Sequence, residues 1–165
     1  MSPALFAAEA AAACLLFSAA VWASLRRDPM FWYQDFPPAV RERLRALPEY
    51  AGRIPELRRT AARKVSVALV LAALLAGVAL ASGARDFTGA FGWCFALWTV
   101  VNLWDALVLD TLWFSWGRGV RIPGTEDLED AYLDVRPHWI AFLAGEAIGL
   151  AVSVASAATV AVLPL

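Results

Sequence analysis

The sequence predicts an all-α, polytopic membrane protein: a bundle of four transmembrane helices with a short interfacial amphipathic helix in its first long loop. Three observations lead to this fold class: the composition, four apolar segments of spanning length, and an uneven distribution of basic residues. The 165 residues are 61% hydrophobic with a mean hydropathy of +0.60, and only 18% are charged. Water-soluble domains carry about 25% charged residues, so the composition is typical of a single membrane domain.

Four segments are long and apolar enough to cross a bilayer, which requires roughly 20 mainly apolar residues. We place these spans at about residues 3–25, 65–82, 91–114 and 138–163. The second contains 18 residues, so it either lies nearly upright or begins a little earlier, in RRTAARK. Two long loops, residues 26–64 and 115–137, then lie on the same side of the membrane.

The basic residues predict which side that is. Thirteen of the 14 Lys and Arg residues lie in the two long loops, and only Arg85 lies in the short loop between spans two and three. Cytoplasmic loops carry the excess of Lys and Arg, so we expect both long loops inside and both termini outside. Usage rich in Ala and Arg, with a single lysine, suggests a bacterial protein of the cytoplasmic membrane.

The first long loop predicts an amphipathic helix in PPAVRERLRALPEY, which opens with prolines suited to a helix start. Such a helix can lie on the inner leaflet and bind anionic lipid head groups. Alternatively, the basic residues serve only to anchor the topology. The apolar face is Val40, Leu44 and Leu47, and the basic residues are Arg41, Arg43 and Arg45.

The second long loop is acidic. Pro123 and Gly124 mark a turn, and Thr125 is placed to cap a short helix whose first turn contains Glu126 and Asp127. The acids either form a solvated face or concentrate cations at the inner mouth of a pathway, with Glu126 as an inner-mouth residue. They are Glu126, Asp127, Glu129, Asp130 and Asp134.

Polar residues interrupt the third span in NLWDALVLDTLW, residues 102–113. A charge near the bilayer centre costs at least ~2.5–3.5 kcal/mol, so ionisable residues there usually face the bundle interior or a water-filled cavity. At about 100° per residue, Asn102 and Asp105 share a face, while Asp110 is turned about 140° from Asp105. We expect Asn102 within hydrogen-bonding reach of Asp105, directly or through water.

The fourth span brings two more polar residues to the same half of the bundle. His138 lies at its start, and Glu146 lies eight residues, ~12 Å, further in. We therefore expect one cavity bordered by five residues, or alternatively a structural cluster of hydrogen-bonded carboxyl groups. The five are Asn102, Asp105, Asp110, His138 and Glu146. Glu9 of span one lies on the outer side, apart from them.

Aromatic and small residues on these spans carry further predictions. Trp98 and Trp113 fall on the Asn102 face, where they either pack or line an aromatic pocket for an organic ligand or cation. Small residues every four positions predict close helix packing in span four, and span two repeats the pattern. The two series are Ala141, Gly145, Gly149, Ser153 and Ala157 in span four, and Ala73, Gly77 and Ala81 in span two.

The stretches NLWDALVLD, RIPGTED and FPPAVRERLRALPEYAGRIP, with a histidine at the start of the next span, resemble a group of small bacterial four-span membrane proteins. The resemblance covers roughly Phe36 to Gly149. It implies the same topology but no activity, because none is established for that group. It draws attention to Asn102, Asp105, Asp110, Glu126 and His138.

Sequence motifs narrow the function classes without choosing one. The chain contains no phosphate loop, nucleophile elbow, CxxC or HExxH. Cys14 and Cys94 lie in apolar runs away from other ligand-type residues, so no metal site is predicted and no cofactor is indicated. A zinc site would have to be carboxylate-rich, whereas carboxylates alone prefer Mg²⁺, Ca²⁺ or Mn²⁺. The net charge of −1 gives no indication of nucleic-acid binding.

Three functions remain open. The first is a transporter or channel subunit in which the acids carry protons or a cation; because four spans rarely enclose a path alone, we expect a homo-oligomer. The second is a membrane-embedded enzyme whose carboxylates perform acid–base chemistry on a lipid-like substrate. The third is a non-catalytic subunit of a membrane complex. The apolar outer halves of spans two and four favour a one-sided cavity over an open channel.

Overall fold

Four long helices form the frame of the molecule in the computed structural model, which describes residues 2–163. They are α1 (Pro3–Arg27), α4 (Leu57–Ala81), α5 (Phe87–Trp104), which continues as a π-helix (Asp105–Trp116), and α7 (Arg136–Val162). Each is long and apolar enough to cross a membrane, and the described residues contain no strand. The predicted all-helical, four-helix architecture is confirmed, and it suggests a multi-pass membrane protein.

The helix bounds match the predicted spans except at α4, which begins at Leu57 rather than near Val65. Its first two turns therefore contain most of the basic cluster RRTAARK.

At the other end, α4 passes to α5 through a short turn in which Gly83 adopts a φ of +97°, a conformation that glycine accepts readily. Asp86 then caps α5, since its side chain accepts a hydrogen bond from the Gly89 amide (2.8 Å).

The helix α7 makes its most extensive contacts with α5 and α4. Gly145 and Gly149 lie against α5: a Cβ atom at Gly145 would collide with the Asn102 side chain, and one at Gly149 with the Trp98 ring. Ser156, two turns further along α7 from Gly149, donates a hydrogen bond to the Ala72 carbonyl of α4 (2.9 Å). The close approach predicted from the small residues of span four is therefore present at Gly145 and Gly149, and Ser153 and Ala157 are buried, but Ala141, the first residue of the series, is exposed.

The small residues of α4 are placed differently from the prediction. Ala73, Gly77 and Ala81 are exposed on the outside of the bundle, and a Cβ at Gly77 would meet no atom within 4 Å. The face of α4 that packs inward instead contains Ala76 and Ala79, which are 3% and 0% exposed. Both faces carry small residues, so spacing alone could not identify the inner one.

The two long loops fold together into a cap over one end of the bundle; we use "the cap" for residues 28–56 and 117–135. It contains a 3₁₀ helix (Pro29–Asp35), α2 (Pro38–Ala46), α3 (Pro48–Ala51), a second 3₁₀ helix (Glu126–Leu128) and α6 (Glu129–Leu133). Its core is completed by Phe114 from the end of the π-helix. The buried core residues are Met30, Tyr33, Phe36, Val40, Leu44, Phe114, Ile122 and Tyr132.

The cap changes the interpretation of the amphipathic segment. The predicted helix is present as α2, but Val40 and Leu44 on its apolar face are both 0% exposed. They pack in the cap core with Tyr132 of the second loop. The apolar face of α2 is thus covered by protein, which disagrees with the interpretation that this face lies on the inner leaflet. Binding of anionic head groups by the basic residues stays a prediction.

The acidic residues of the second loop are mostly paired with arginines. Arg43 binds Asp127 through two hydrogen bonds of 2.8 and 2.7 Å, which lower the pKa of the Asp127 carboxyl. Arg121 and Arg118 likewise hold Glu129, at 2.9 and 3.0 Å. The Arg43–Asp127 pair joins the two loops, and Arg121 also donates to the Phe114 and Ser115 carbonyls at the end of the π-helix (2.8 and 3.0 Å). The paired acids therefore do not form a free acidic surface.

Thr125 also differs from its predicted role. It precedes the short helix at Glu126, but its hydroxyl makes no capping hydrogen bond. Instead it donates to the Ile122 carbonyl (2.6 Å) and lies 2.9 Å from the Tyr132 hydroxyl. Thr125 is therefore a buried member of the cap core.

The contact at Gly149 gives a first test. Gly149→Leu should destabilise the bundle by about 1–3 kcal/mol or more, because the added side chain would overlap the Trp98 ring. The free energy of unfolding in mixed detergent micelles measures the effect. Gly77→Leu is the matched control and should leave stability unchanged, because its side chain would project away from the bundle. Equal stability of the two variants would contradict the packing described.

Candidate functional site: a carboxylate–histidine cluster beneath the cap

The polar residues predicted for one cavity form two separate sets. Asn102 and Glu146 bind each other deep in the bundle, in the contact between α5 and α7. Asp105, Asp110 and His138 lie nearer the cap, together with Asp35, and we call these four residues the carboxylate–histidine site. The two sets differ in one respect that decides their interpretation, namely how completely their polar atoms are hydrogen-bonded.

Both carboxylate oxygens of Glu146 accept hydrogen bonds from α5. The Asn102 amide donates to Oε1 (2.7 Å), and the Thr99 hydroxyl donates to Oε2 (2.8 Å). Asn102 also donates to the Phe142 carbonyl at 3.0 Å. The sequence predicts a hydrogen bond between Asn102 and Asp105. In the structure Asn102 instead bonds to Glu146. Glu146 links two helices, which matches the structural interpretation of a hydrogen-bonded cluster.

Glu9 forms a second fully bonded link at the end of the bundle opposite the cap. The Ser82 hydroxyl donates to Glu9 Oε1 (2.6 Å) and the Trp93 indole donates to Oε2 (2.8 Å). This carboxylate therefore joins α1 to both α4 and α5. The sequence had placed Glu9 apart from the other acids, and the structure gives it this separate position.

His138 and Asp110 form the centre of the carboxylate–histidine site. His138 Nδ1 lies 3.1 Å from Asp110 Oδ2, and the His138 side chain is only 7% exposed. The Phe114 ring packs edge-on against the imidazole, with ring centroids 5.4 Å apart. The other imidazole nitrogen, Nε2, is buried and has no hydrogen-bond partner within residues 2–163. Buried polar atoms are nearly always partnered, so this nitrogen indicates a place for a proton, a water molecule or a ligand.

Asp105 is partly buried and, unlike Glu146, receives no hydrogen bond from residues 2–163. Asp110, Asp35 and His138 lie near enough for a charge on any of them to act on Asp105. Three carboxylates thus lie within electrostatic range of one imidazole. An acid held without a partner in an apolar bundle is costly for stability, which favours a functional over a structural interpretation of this group.

The π-helix explains how Asp105 and Asp110 come together. In an α-helix they would point about 140° apart. Residues 105–116 form a wider helix, in which hydrogen bonds connect residues five apart. Residues five apart, such as Asp105 and Asp110, therefore lie about one turn above each other. The Thr111 hydroxyl donates to the Ala106 carbonyl (2.7 Å) and the Gly117 amide donates to the Leu112 carbonyl (2.8 Å), both across five residues.

Asp35 was not predicted as a site residue. It ends the first 3₁₀ helix of the cap, and the Lys64 ammonium of α4 lies 3.7 Å from its Oδ1. Loss of water from its protein-facing side raises the pKa of the Asp35 carboxyl; Lys64 opposes this shift and the charge of Asp110 adds to it. No local signal marks this aspartate, since only the fold of the cap brings it to the third span.

Three other predicted site residues lie elsewhere. Trp98 packs on Gly149 and donates to the Gly145 carbonyl (3.0 Å), so it belongs to the contact between α5 and α7. Trp113 packs against the cap core. Glu126 is exposed and accepts a hydrogen bond from the Gly124 amide (2.9 Å). Trp98 and Trp113 do not line one pocket with the acids.

Comparisons with other proteins leave the site to be interpreted from its own geometry. No family model, no curated protein and no solved structure matches this chain. Within residues 2–163, no group of three His, Cys, Asp or Glu side chains is arranged to hold a metal ion.

The two sets of acids should respond oppositely to removal of their charge. Glu146→Leu should lower the free energy of unfolding by about 1–2 kcal/mol, because Asn102 and Thr99 lose their acceptor. Asp105→Leu should leave stability unchanged or raise it, because no described hydrogen bond is lost. Unfolding in mixed micelles measures both. Comparable destabilisation by the two substitutions would show that Asp105 is a structural residue.

Proposed function

We propose that this chain is a membrane protein that binds and transfers protons at the carboxylate–histidine site, as a transporter or channel subunit. The observation that supports this most directly is the buried His138 imidazole, which is held by Asp110 through Nδ1 while Nε2 has no partner within residues 2–163. Histidine changes its charge near neutral pH, and a carboxylate on one nitrogen fixes which nitrogen exchanges the proton.

The neighbouring acids support the same function. Asp105 and Asp35 interact electrostatically with the His138–Asp110 pair. Intramembrane acids and histidines of this kind mark proton relays in membrane transporters. Asp35 and Lys64 are half-exposed at the edge of the cap, with 45% and 59% of their side chains accessible. They provide contact between the site and water on the cap side.

The packing of α5 against α7 closes the site on the side away from the cap. Beyond Asp105 and away from the cap, α5 and α7 are held in contact by Gly145 and Gly149, and Glu146 is fully hydrogen-bonded. Protons therefore reach the site from the cap side in this conformation, and transfer to the opposite side requires α5 and α7 to rearrange.

The enzyme alternative has less support. The apolar groove beside the π-helix, about 410 Å³ in volume, is lined by residues of α1 and the third long helix. None of its lining residues is acidic, and His138 is not among them. A lipid-like substrate in this groove would not meet the groups needed for acid–base chemistry. A role as a subunit of a larger complex, and the predicted homo-oligomer, stay predictions.

Proton flux into liposomes tests the proposal. The purified protein is reconstituted with a pH-sensitive dye inside, and a potassium diffusion potential drives proton entry. We expect flux for the native chain and its loss, to the level of empty liposomes, in Asp105→Asn and Asp110→Asn, because an amide cannot exchange the proton. Asp130→Asn is the control, since Asp130 is an exposed acid of the cap.

Size-exclusion profiles and unfolding free energies establish that the variants are folded. If the native chain conducts no more than empty liposomes, proton transfer by this chain alone is ruled out. If Asp105→Asn and Asp110→Asn conduct like the native chain, the transfer does not use this site.

We further propose that the cap faces the cytoplasm, as the basic residues predict. In a background with Cys14 and Cys94 replaced by alanine, Ala51→Cys in the cap should react with a membrane-impermeant maleimide only after permeabilisation. Thr88→Cys, at the start of α5, should react from outside in intact cells. Both positions are exposed. The reverse pattern of labelling would place the cap outside.

A further inference from the structure

A groove runs along the outside of the bundle between α1 and the third long helix. Its volume is about 410 Å³ and its surface is almost entirely apolar. Trp22 of α1 and Trp104 and Trp113 of the third helix form its aromatic walls. The remaining lining residues are Leu15, Ser18, Ala19, Val21, Val108 and Leu109. The groove therefore offers a long apolar surface, open on the side that faces the surroundings of the bundle.

The dimensions of the groove fit one leaflet of a bilayer. Its lining begins at Leu15, near the middle of α1, and continues to Trp22. Arg26 lies one further turn toward the cap. At 1.5 Å per residue, the distance along α1 from Leu15 to Arg26 is roughly 16 Å, close to half the ~30 Å hydrocarbon thickness of a bilayer. An acyl chain in the groove would place its head group at the level of Arg26.

The cap end of the groove carries positive charge without protein partners. The Arg26 guanidinium stacks on the Trp22 ring at 3.9 Å, which fixes it beside the groove. Neither Arg26 nor Arg27 makes a side-chain hydrogen bond or ion pair within residues 2–163, and both are exposed. By contrast, Arg43 and Arg121 of the cap are paired with acids. Stacking on tryptophan leaves the N–H groups of Arg26 at the edge free to bind an anion.

We propose that this groove binds one anionic phospholipid from the leaflet on the cap side, with an acyl chain along Trp22, Trp104 and Trp113 and the phosphate at Arg26. Arg27 lies in the same turn of α1 and adds positive charge at that level. Apolar complementarity along the groove and charge complementarity at its end both point to this ligand. The inference requires that the bundle is inserted in a membrane, but it does not depend on proton transfer at the carboxylate–histidine site.

Native mass spectrometry of the detergent-solubilised protein, titrated with dioleoylphosphatidylglycerol, tests the proposal. We expect one tightly bound lipid, preferred over dioleoylphosphatidylcholine. The double substitution Arg26→Gln with Arg27→Gln should weaken binding roughly tenfold or more, because two cations near the phosphate are lost. Ala19→Trp should also weaken binding, because the indole would fill the groove.

Each substitution has a matched control. Arg58→Gln with Arg59→Gln removes two exposed arginines at the cap end of α4, and Ala20→Trp adds an indole to the adjacent exposed position of α1 that does not line the groove. Both controls should bind like the native chain. Equal weakening by the two arginine pairs would show non-specific attraction, and native affinity in Ala19→Trp would show that the groove is not used. Absence of preference for phosphatidylglycerol overturns the proposal as well. If Ala19→Trp does not fold, the comparison of the Arg26/Arg27 variant with the Arg58/Arg59 control tests the proposal by itself.

Discussion

The close approach of α5 and α7 at Gly145 and Gly149 is the contact on which the rest of the structure depends. Because neither residue has a Cβ atom, the Asn102 amide and the Trp98 ring lie directly against the backbone of α7. Trp98 then donates to the Gly145 carbonyl, and Asn102 donates to Glu146. These bonds fix both the depth and the rotation of α7. His138, two turns nearer the cap than Glu146, is thereby held against the face of the π-helix that carries Asp110.

The cap packs against the end of the π-helix beside the carboxylate–histidine site. Phe114, the last large residue of the π-helix to be buried, belongs to the cap core and also packs edge-on against His138. Phe36 of the first loop packs against Phe114, with ring centroids 5.9 Å apart. The same loop carries Asp35 to the site. The imidazole thus contacts Phe114 and Asp110 of the π-helix, and Phe114 links it to the cap core.

The parts of this structure that could be predicted from the sequence depend on local patterns. The length of the apolar segments predicted the four long helices. Small residues at every fourth position predicted the packed face of α7 at Gly145 and Gly149, although Ala141 of the same series is exposed. The inner face of α4 could not be found in this way, because Ala73 and Gly77 are as small as Ala76 and Ala79. The burial of Val40 and Leu44 depends on Tyr132, which is remote in sequence. An amphipathic pattern shows that a face will be covered but not by what.

The candidate site was only partly predictable for a related physical reason. In a regular α-helix, with 100° per residue, Asp105 and Asp110 point in different directions. Nothing in the sequence DALVLDTLWFSW indicates the π-helix that brings them to the same side. If residues 105–116 were α-helical, Asp110 would turn away from α7 and His138 would lose its partner at Nδ1. The π-helix is stabilised at its end by the cap, through Phe114, and along its length by the Thr111 hydroxyl. The geometry of the acids is thus a property of the packed cap and bundle together, which no periodicity within one helix can show.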